Sequence, residues 1–325
     1  MPLLTSSVHV DQALTNVSIA YAQEQSRFAA DRLFPIISTQ KLTDKYFVFD
    51  KGNYLRSVAG VRAPGSETFG ANYTLSTDSF SCVENGVHMD LDDLIVANSD
   101  AGLNIEISTT QYITEQLLLK REKDFAAAAF TNGVWTGSTT GGDVTPGTTV
   151  GMGPLWSAAN ATPLSDILEQ MDSVESKTGR RPNHLVLGKD VYTALSTSDD
   201  ILQRVKYTQT GVVTTDLLAS LLGLQAVHVP GAIENVAIQG AADSMSFVYG
   251  SNDAALLYVP ATPGLMVPSA GYMFSLNSVG GENAQGLRVR NYRLDHIQSQ
   301  RIEALAAYDF KVVSDQLGAF FLNCL

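Results

Sequence analysis

Apolar positions along the chain change period several times, and each change marks an element. Over residues 1–37 they are scattered, with no sustained repeat, and close on Phe34-Pro35-Ile36-Ile37. The proline restricts Phe34 towards extended backbone, so this stretch reads as an arm. Tyr46, Phe47, Val48 and Phe49 then precede Asp50-Lys51-Gly52-Asn53 and Tyr54-Leu55. That is strand chemistry around a turn, and it predicts a β-hairpin over 45–56. Residues 57–80 are rich in Gly, Ser, Thr and Asn, with Pro64-Gly65 as a turn, and are too polar to build a compact unit alone.

Helical spacing begins near Asn104. Ile105, Ile113, Leu117, Leu118 and Phe125 recur on one face, and most residues from Glu115 to Ala129 are strong helix formers. The pattern predicts one helix over 104–131, roughly 40 Å long at about 1.5 Å per residue. Asn132-Gly133 supplies a left-handed stop, and the Gly/Thr/Ser-rich stretch 136–154 reads as a loop. Thr162-Pro163 then offers a cap and a first helical position ahead of Leu164, Ile167, Leu168 and Met171, with Gly179 as terminator. A buried strand at 184–187, helices near 189–197, 199–206 and 214–222, and a strand at 226–229 alternate as an α/β subdomain would. The pattern returns to strands at 246–249, 255–259, 287–292, 302–313 and 318–322. The fold class expected from this order is α+β, with a sheet that uses strands distant in sequence.

Composition narrows the function. At 325 residues and 45% hydrophobic content the chain can bury a substantial core. Its net charge of -12 disfavours nucleic-acid binding as the main activity, because that affinity comes from Lys and Arg displacing counterions. Cys82 and Cys324 are too few and too far apart for a disulfide framework or a zinc site, and are expected to stay unpaired thiols. The polar start carries no secretory signal pattern, so the acceptor triplets at Asn16, Asn72 and Asn160 are expected to go unused. The longest apolar stretch, 217–229, is shorter than the roughly 20 residues of a spanning helix, so no membrane is expected as a partner.

Candidate chemistry is sparse. The sequence has no phosphate-binding loop, no H-E-x-x-H and no nucleophile elbow, and Gly151-Met152-Gly153 lacks the third glycine and preceding strand of a dinucleotide fingerprint. The histidines His9, His88, His184, His228 and His296 show no metal-ligand spacing, and His184 and His228 flank apolar strands, where packing or a hydrogen bond is the expected role. Asp90, Asp92 and Asp93 have oxygens for calcium but no glycine-turned loop, and read as a solvated strand end. The run Lys120-Arg121-Glu122-Lys123-Asp124 reads as the solvent face of the long helix, with Lys120 and Asp124 as an i,i+4 pair. Contacts to another subunit or to DNA are the alternative for that run. Arg288, Arg290, Arg293 and Arg301 could share one strand face and make weak phosphate contacts. No catalytic, cofactor-binding or metal residue is assigned.

Several segments, in chain order, resemble the tailed-bacteriophage major capsid proteins. They are Ala30-Asp31-Arg32-Leu33-Phe34-Pro35 running into Asp44-Lys45-Tyr46-Phe47-Val48-Phe49-Asp50-Lys51-Gly52, then Leu119-Lys120-Arg121-Glu122-Lys123-Asp124-Phe125, and Gly179-Arg180-Arg181-Pro182-Asn183. Asp200-Ile201-Leu202 with Val205-Lys206-Tyr207, Asp216-Leu217-Leu218-Ala219, and Pro263-Gly264-Leu265 with Ser269-Ala270-Gly271-Tyr272 complete the set, which spans about residues 28–325. The ordered set carries the resemblance; no single piece does.

That resemblance implies an N-terminal arm over 1–37, an extended loop over 38–85, a peripheral domain with a long spine helix over 86–160, an axial domain over 161–264, and peripheral return strands over 265–325. It implies a structural protein, not an enzyme, that self-assembles as hexamers and pentamers into an icosahedral shell around double-stranded DNA. The shell would be built in the bacterial host cytoplasm and end in the virion. Expected partners are further copies of the chain, a separate scaffolding protein because the start leaves no room for a scaffolding segment, a portal, and cement proteins. Packaged DNA would be touched only by weak non-specific contact. A tail or decoration component, or an enzyme with an α/β subdomain, is the alternative. Some capsid proteins of this architecture form Lys-Asn crosslinks; Lys45, Lys51, Asn53 and Asn72 lie in the loop here, but no matching motif assigns them that role. Tyr46, Phe47, Phe49, Tyr54, Phe69 and Tyr73 of the loop are expected to await cover from a neighbour.

Overall fold

The computed structural model describes residue 23 and residues 27–49, 51–98, 105–205, 213–264, 266–280 and 287–325. The expected arm therefore lies largely outside the described residues. A short helix α1 (Ala30–Leu33) leads into strand β1 (Ile36–Thr39), and β2 (Thr43–Phe49) follows. The strand chemistry of 46–49 is real, but the 45–56 hairpin is not. Lys51–Tyr54 forms a helical turn, α2, and β2 instead pairs antiparallel with β3 (Leu75–Ser81). Lys51, Gly52 and Asn53 bend the chain without returning it, and the true partner strand sits inside the stretch read as polar loop. The chain then enters β4 (Val83–Asp92) and α3 (Asp93–Ala97), neither of which the apolar pattern predicts.

The long helix α4 (Ile105–Ala129) is present as predicted. Ile113, Leu117, Leu118, Phe125, Ala126 and Ala129 are buried along it, at the three- and four-residue spacing that defines one helical face. It ends earlier than expected. Trp135 Nε1 donates to the Ala129 carbonyl at 2.7 Å, satisfying a C-terminal acceptor, while Gly133 (φ +77°) turns the chain four residues beyond. After the irregular stretch 130–162 come α5 (Pro163–Thr178), β5 (His184–Leu187), α6 (Lys189–Thr197), α7 (Asp199–Val205), α8 (Thr215–Leu222) and β6 (Ala226–His228). This alternation was legible in the sequence, as was the left-handed Gly179 closing α5. Thr162 precedes that helix without making a side-chain cap. A small pair follows, β7 (Ile233–Asn235) with β8 (Met245–Phe247), then β9 (Ala254–Leu257), β10 (Gly271–Leu276), helix α9 (Asn277–Gly280), β11 (Leu287–Leu294), β12 (Ser299–Val312) and β13 (Gly318–Phe321).

Two sheets organise these elements, each over its own core. The larger runs β1-β10-β12-β11 with β4 on the other side of β12; β1 pairs parallel to β10 and the rest are antiparallel. Ile302, Ala304, Tyr308 and Phe310, alternate residues of β12, point to α4 and pack with Ile113, Leu117 and Phe125. The smaller sheet, β13-β9-β5-β6, is buried throughout β5, β9 and β13 and is covered by α5 to α8. Sheet membership does not follow the boundary expected at 265: β13 returns to the smaller sheet, where Gly318 leaves room for the Trp135 ring, 2.3 Å from where a Cβ would stand. Helices and strands thus form two α+β layers joined through α4, β12 and the C-terminal strand.

Candidate assembly surfaces and the clasp on the long helix

Residues 38–85 are anchored at one end and open at the other. At the root, Phe80 stacks on Phe274 of β10 with ring centroids 4.3 Å apart and planes 9° from parallel; Cys82 and Tyr272 complete a small buried cluster. Tyr46 leans on the same Phe274 and donates to Asp78 at 2.8 Å, so it is half-buried, not exposed as expected. Beyond the root the apolar residues face water: Phe47, Tyr54, Leu55, Phe69 and Tyr73 are all more than half exposed, and Val61 is 98% exposed. The side chain of Phe49 lies outside the described residues. Local contacts shape the tip, with Tyr54 against Tyr73 and Asn53 Nδ2 donating to Thr74 at 2.7 Å. It touches its own body through Lys51, which donates to the Lys177 carbonyl at 3.1 Å and to the Gln316 side chain. A second exposed apolar group lies on α3, where Leu94 and Ile95 are 79% and 62% exposed.

The charge run on α4 divides by helical face. Lys120 pairs with Asp124 as expected, and Lys123 reaches Glu234 at 2.5 Å. Arg121 and Glu122, read as part of the solvent face, are instead buried, at 2% and 0% exposure. Glu122 Oε1 accepts from the backbone N–H groups of Ala29 and Ala30, both at 2.9 Å, and Oε2 accepts from the Tyr249 hydroxyl. Burial pushes the Glu122 carboxyl up, against the opposing pull of Tyr249, the Ala30 amide and Arg121. Arg121 lies 3.6 Å from Asp31. One helical turn or more before Glu122, Glu115 accepts from Gln23 N at 2.6 Å, while the Gln23 side chain bonds both backbone groups of Ile233. The signal missed in the sequence was phase: Glu122 falls midway between Leu118 and Phe125 on the buried face.

A second polar device holds the Gly-rich stretch. Asp166, Gln170, Ser173 and Lys177 project from one face of α5. Asp166 accepts from Gly153 N and Trp156 Nε1, both at 2.9 Å; Gln170 accepts from Thr139 N at 2.8 Å; Ser173 donates to the Gly137 carbonyl at 3.1 Å. Lys177 donates to the carbonyls of Thr136 and Ser138, and burial lowers its pKa, with Lys51 adding to the effect. Gly151 and Gly153 thus belong to a loop strapped to a helix.

The other polar candidates are dispersed. Asp90 is held below the usual carboxylate range by the Arg301 guanidinium, which donates to it at 2.6 and 2.7 Å; Arg293 does the same for Asp93, and Asp92 Oδ1 accepts from Leu94 N at the start of α3. The four arginines therefore do not form one basic face: Arg293 sits on the opposite side of β11 from Arg288 and Arg290, whose cross-strand neighbours are Leu305 and Glu303. His184 Nδ1 and His228 Nε2 are 2.9 Å apart with rings 6° from parallel, a hydrogen bond of the kind expected for them. Burial, then His184 and Arg32, push His228 down to about 4. Cys82 and Cys324 are free thiols in separate clusters, both pushed up by burial. Among the described residues no three His, Cys, Asp or Glu side chains are grouped to hold a metal ion, and no helix is long and apolar enough to cross a membrane.

Known proteins agree with this picture. No family model matches the chain. A protein named major capsid protein from Burkholderia phage BcepMu is 24% identical over 305 residues, covering 90% of this chain and 91% of that one. A phage-related protein from Bordetella bronchiseptica superposes with a TM-score of 0.69 at 19% identity over 93% of both chains. The capsid of cyanophage P-SCSP1u does so at 0.58 and 10% identity, over 94% of this chain and 90% of that one. An encapsulin complex from Synechococcus elongatus shares the fold at 0.53 and 12% identity, over 99% and 96% of the two chains, so the fold alone does not separate these groups. The likeness in sequence, across nine-tenths of the chain's length, is to a phage protein named major capsid protein, and the chain has the tailed-phage capsid fold.

Proposed function

We propose that the chain builds an icosahedral phage head as hexamers and pentamers around double-stranded DNA, with residues 38–85 as the extended loop that binds a neighbouring subunit, α4 as the spine helix, and the smaller sheet with its helices as the axial domain. One observation carries this reading. The loop's root is fixed by the Phe80–Phe274 stack, yet Phe47, Tyr54, Leu55, Phe69 and Tyr73 stand in water, where a lone two-stranded hairpin is marginal. A second copy of the chain would cover them. On this reading the protein has no catalytic step of its own. A separate scaffolding protein, a portal and cement proteins would complete the particle, assembled in the host cytoplasm; DNA contact stays weak because the chain carries a net charge of -12.

Shortening the loop between Ser57 and Asn72 tests this. The variant is expected to remain folded and soluble, since the removed residues lie outside both cores, and to fail to close shells in electron micrographs. Particles of normal size and stability from the shortened protein would refute the assignment.

A further inference from the structure

From Ser299 to Ala306, β12 has a partner on each side, β4 on one and β11 on the other, and among the described residues neither of these has a second partner. They are the open edges of a three-stranded tongue, ten residues long in β4 and eight in β11, exposed over most of their length and free of proline. Such edges present unpaired N–H and C=O groups to any strand that fits. The two differ in sign. β4 carries Glu84, Asp90 and Asp92 and no Lys or Arg, whereas β11 carries Arg288, Arg290 and Arg293 and no Asp or Glu. Arg301 answers Asp90, Asp93 answers Arg293, and Arg288 reaches the Ser278 carbonyl. Glu84 and Arg290 have no ion pair among the described residues. The register sorts the rest by face: Glu84, Asp90 and Arg290 stand opposite Ala307, Arg301 and Glu303, on the side of β12 away from its core residues Ile302 and Ala304. The core side of the same two edges ends in Val83 and Met89 on β4 and Val289 on β11, all exposed.

We propose that these edges are the two halves of one interface, with β4 of one copy lying beside β11 of a second copy and extending the sheet across the contact. On the outer face the acidic row meets the basic row; on the core side Val83 and Met89 of one copy meet Val289 of the other. Charge also selects the pairing. Two β4 edges would set acids against acids and two β11 edges arginines against arginines, and like charges on facing strands are destabilising. The contact is therefore head-to-tail, the kind that closes into a ring of copies when the rotation allows. It rests on the reading that copies of this chain assemble, but not on the loop as the element that joins them.

Charge reversal in the full-length protein tests it, with self-association followed by light scattering at low ionic strength and folding checked by thermal melts. Glu84→Arg and Arg290→Glu should each raise the concentration needed for half-assembly on the order of tenfold, with melts unchanged. The double variant reverses both edges, so every head-to-tail contact regains opposite charges, and it should return to within about threefold of the wild type. In the wild type, amide exchange in β4 and β11 should slow on association. A wild type that stays monomeric, single reversals that associate like the wild type, a double variant no better than the weaker single, or edge amides that exchange as fast after association would each overturn the proposal. Normal shells from the single reversals would remove this interface and leave the loop assignment standing. Association that responds as expected without ever closing a shell would keep this interface and remove the shell.

Discussion

Phe125→Ala is the sharpest test of how the larger core is held. Phe125 is 1% exposed and meets Phe34 edge-on at 5.0 Å, Phe310 at 5.6 Å and Tyr249 at 6.2 Å. It therefore joins the segment before β1, the long helix, β12 and the chain leaving β8 in one contact set. Truncating a buried phenylalanine costs about 3–5 kcal/mol from lost transfer energy and the cavity left behind. Lost edge-on ring pairs, each worth about 0.5–1.5 kcal/mol, argue for the upper half of that range. Against a total stability of about 5–15 kcal/mol, such a loss removes about a quarter or more of the margin. Urea unfolding of the soluble subunit, followed by tryptophan fluorescence, should show a lower midpoint with an unchanged slope. Phe47→Ala, at a ring 54% exposed, serves as the control and should change stability by less than about 0.5 kcal/mol. A Phe125→Ala midpoint within about 1 kcal/mol of wild type would refute the packing argument, because no surface position should mimic it.

Two further outcomes follow from buried polar groups. His228 is held near 4 against an ordinary 6.5, so the unfolded chain takes up its proton first; stability is lost as pH falls from about 6.5 towards 4, by up to about 3 kcal/mol, and the pH slope of the urea midpoint should flatten in His228→Gln. Asp166→Ala strands the Gly153 amide and the Trp156 indole, costing about 2–3 kcal/mol, and exchange at residues 151–156 should accelerate while β5 stays protected; unchanged exchange there would remove Asp166 from its assigned role.

Legibility in the sequence followed burial. The long helix, the alternation from Pro163 to His228 and the strands on either side of Gln298 were readable because their apolar residues repeat at the period of the element that buries them. β4 was not, because its residues from Val83 to Met89 are mostly solvent-facing: they pair along β12 by backbone bonds, which leave no apolar signature. β10 has the opposite problem. It is buried throughout, and Gly-Tyr-Met-Phe-Ser-Leu gives neither alternation nor a β-branched run. The turn at 50–53 misled because Asp-Lys-Gly-Asn suits a tight hairpin, and nothing local says that the return strand lies some twenty residues on. Pairing register is a tertiary fact.

The same reasoning separates a building block from an enzyme by where buried polarity points. In a catalytic centre, several buried polar groups aim at one cavity. Here Glu122 ends on the Ala29 and Ala30 amides, Asp166 and Gln170 on the loop they strap, and Asn183 on both backbone groups of Val259. Each holds a segment of the chain's own backbone. The groove beside α4, lined by Val83, Asn85, Lys120, Asp124, Tyr308 and Phe310, is open, and its Asp124 is already engaged by Lys120 and the Tyr308 hydroxyl. Unsatisfied surface lies at the periphery instead, on the loop tip and on α3, and is apolar. Polar groups committed inward to holding segments, with apolar groups offered outward, would suit a subunit that covers its exposed apolar surface against another protein. Such a distribution supports the shell reading, on which the residues that serve assembly would be ordinary aromatics on a loop whose polar composition hides them.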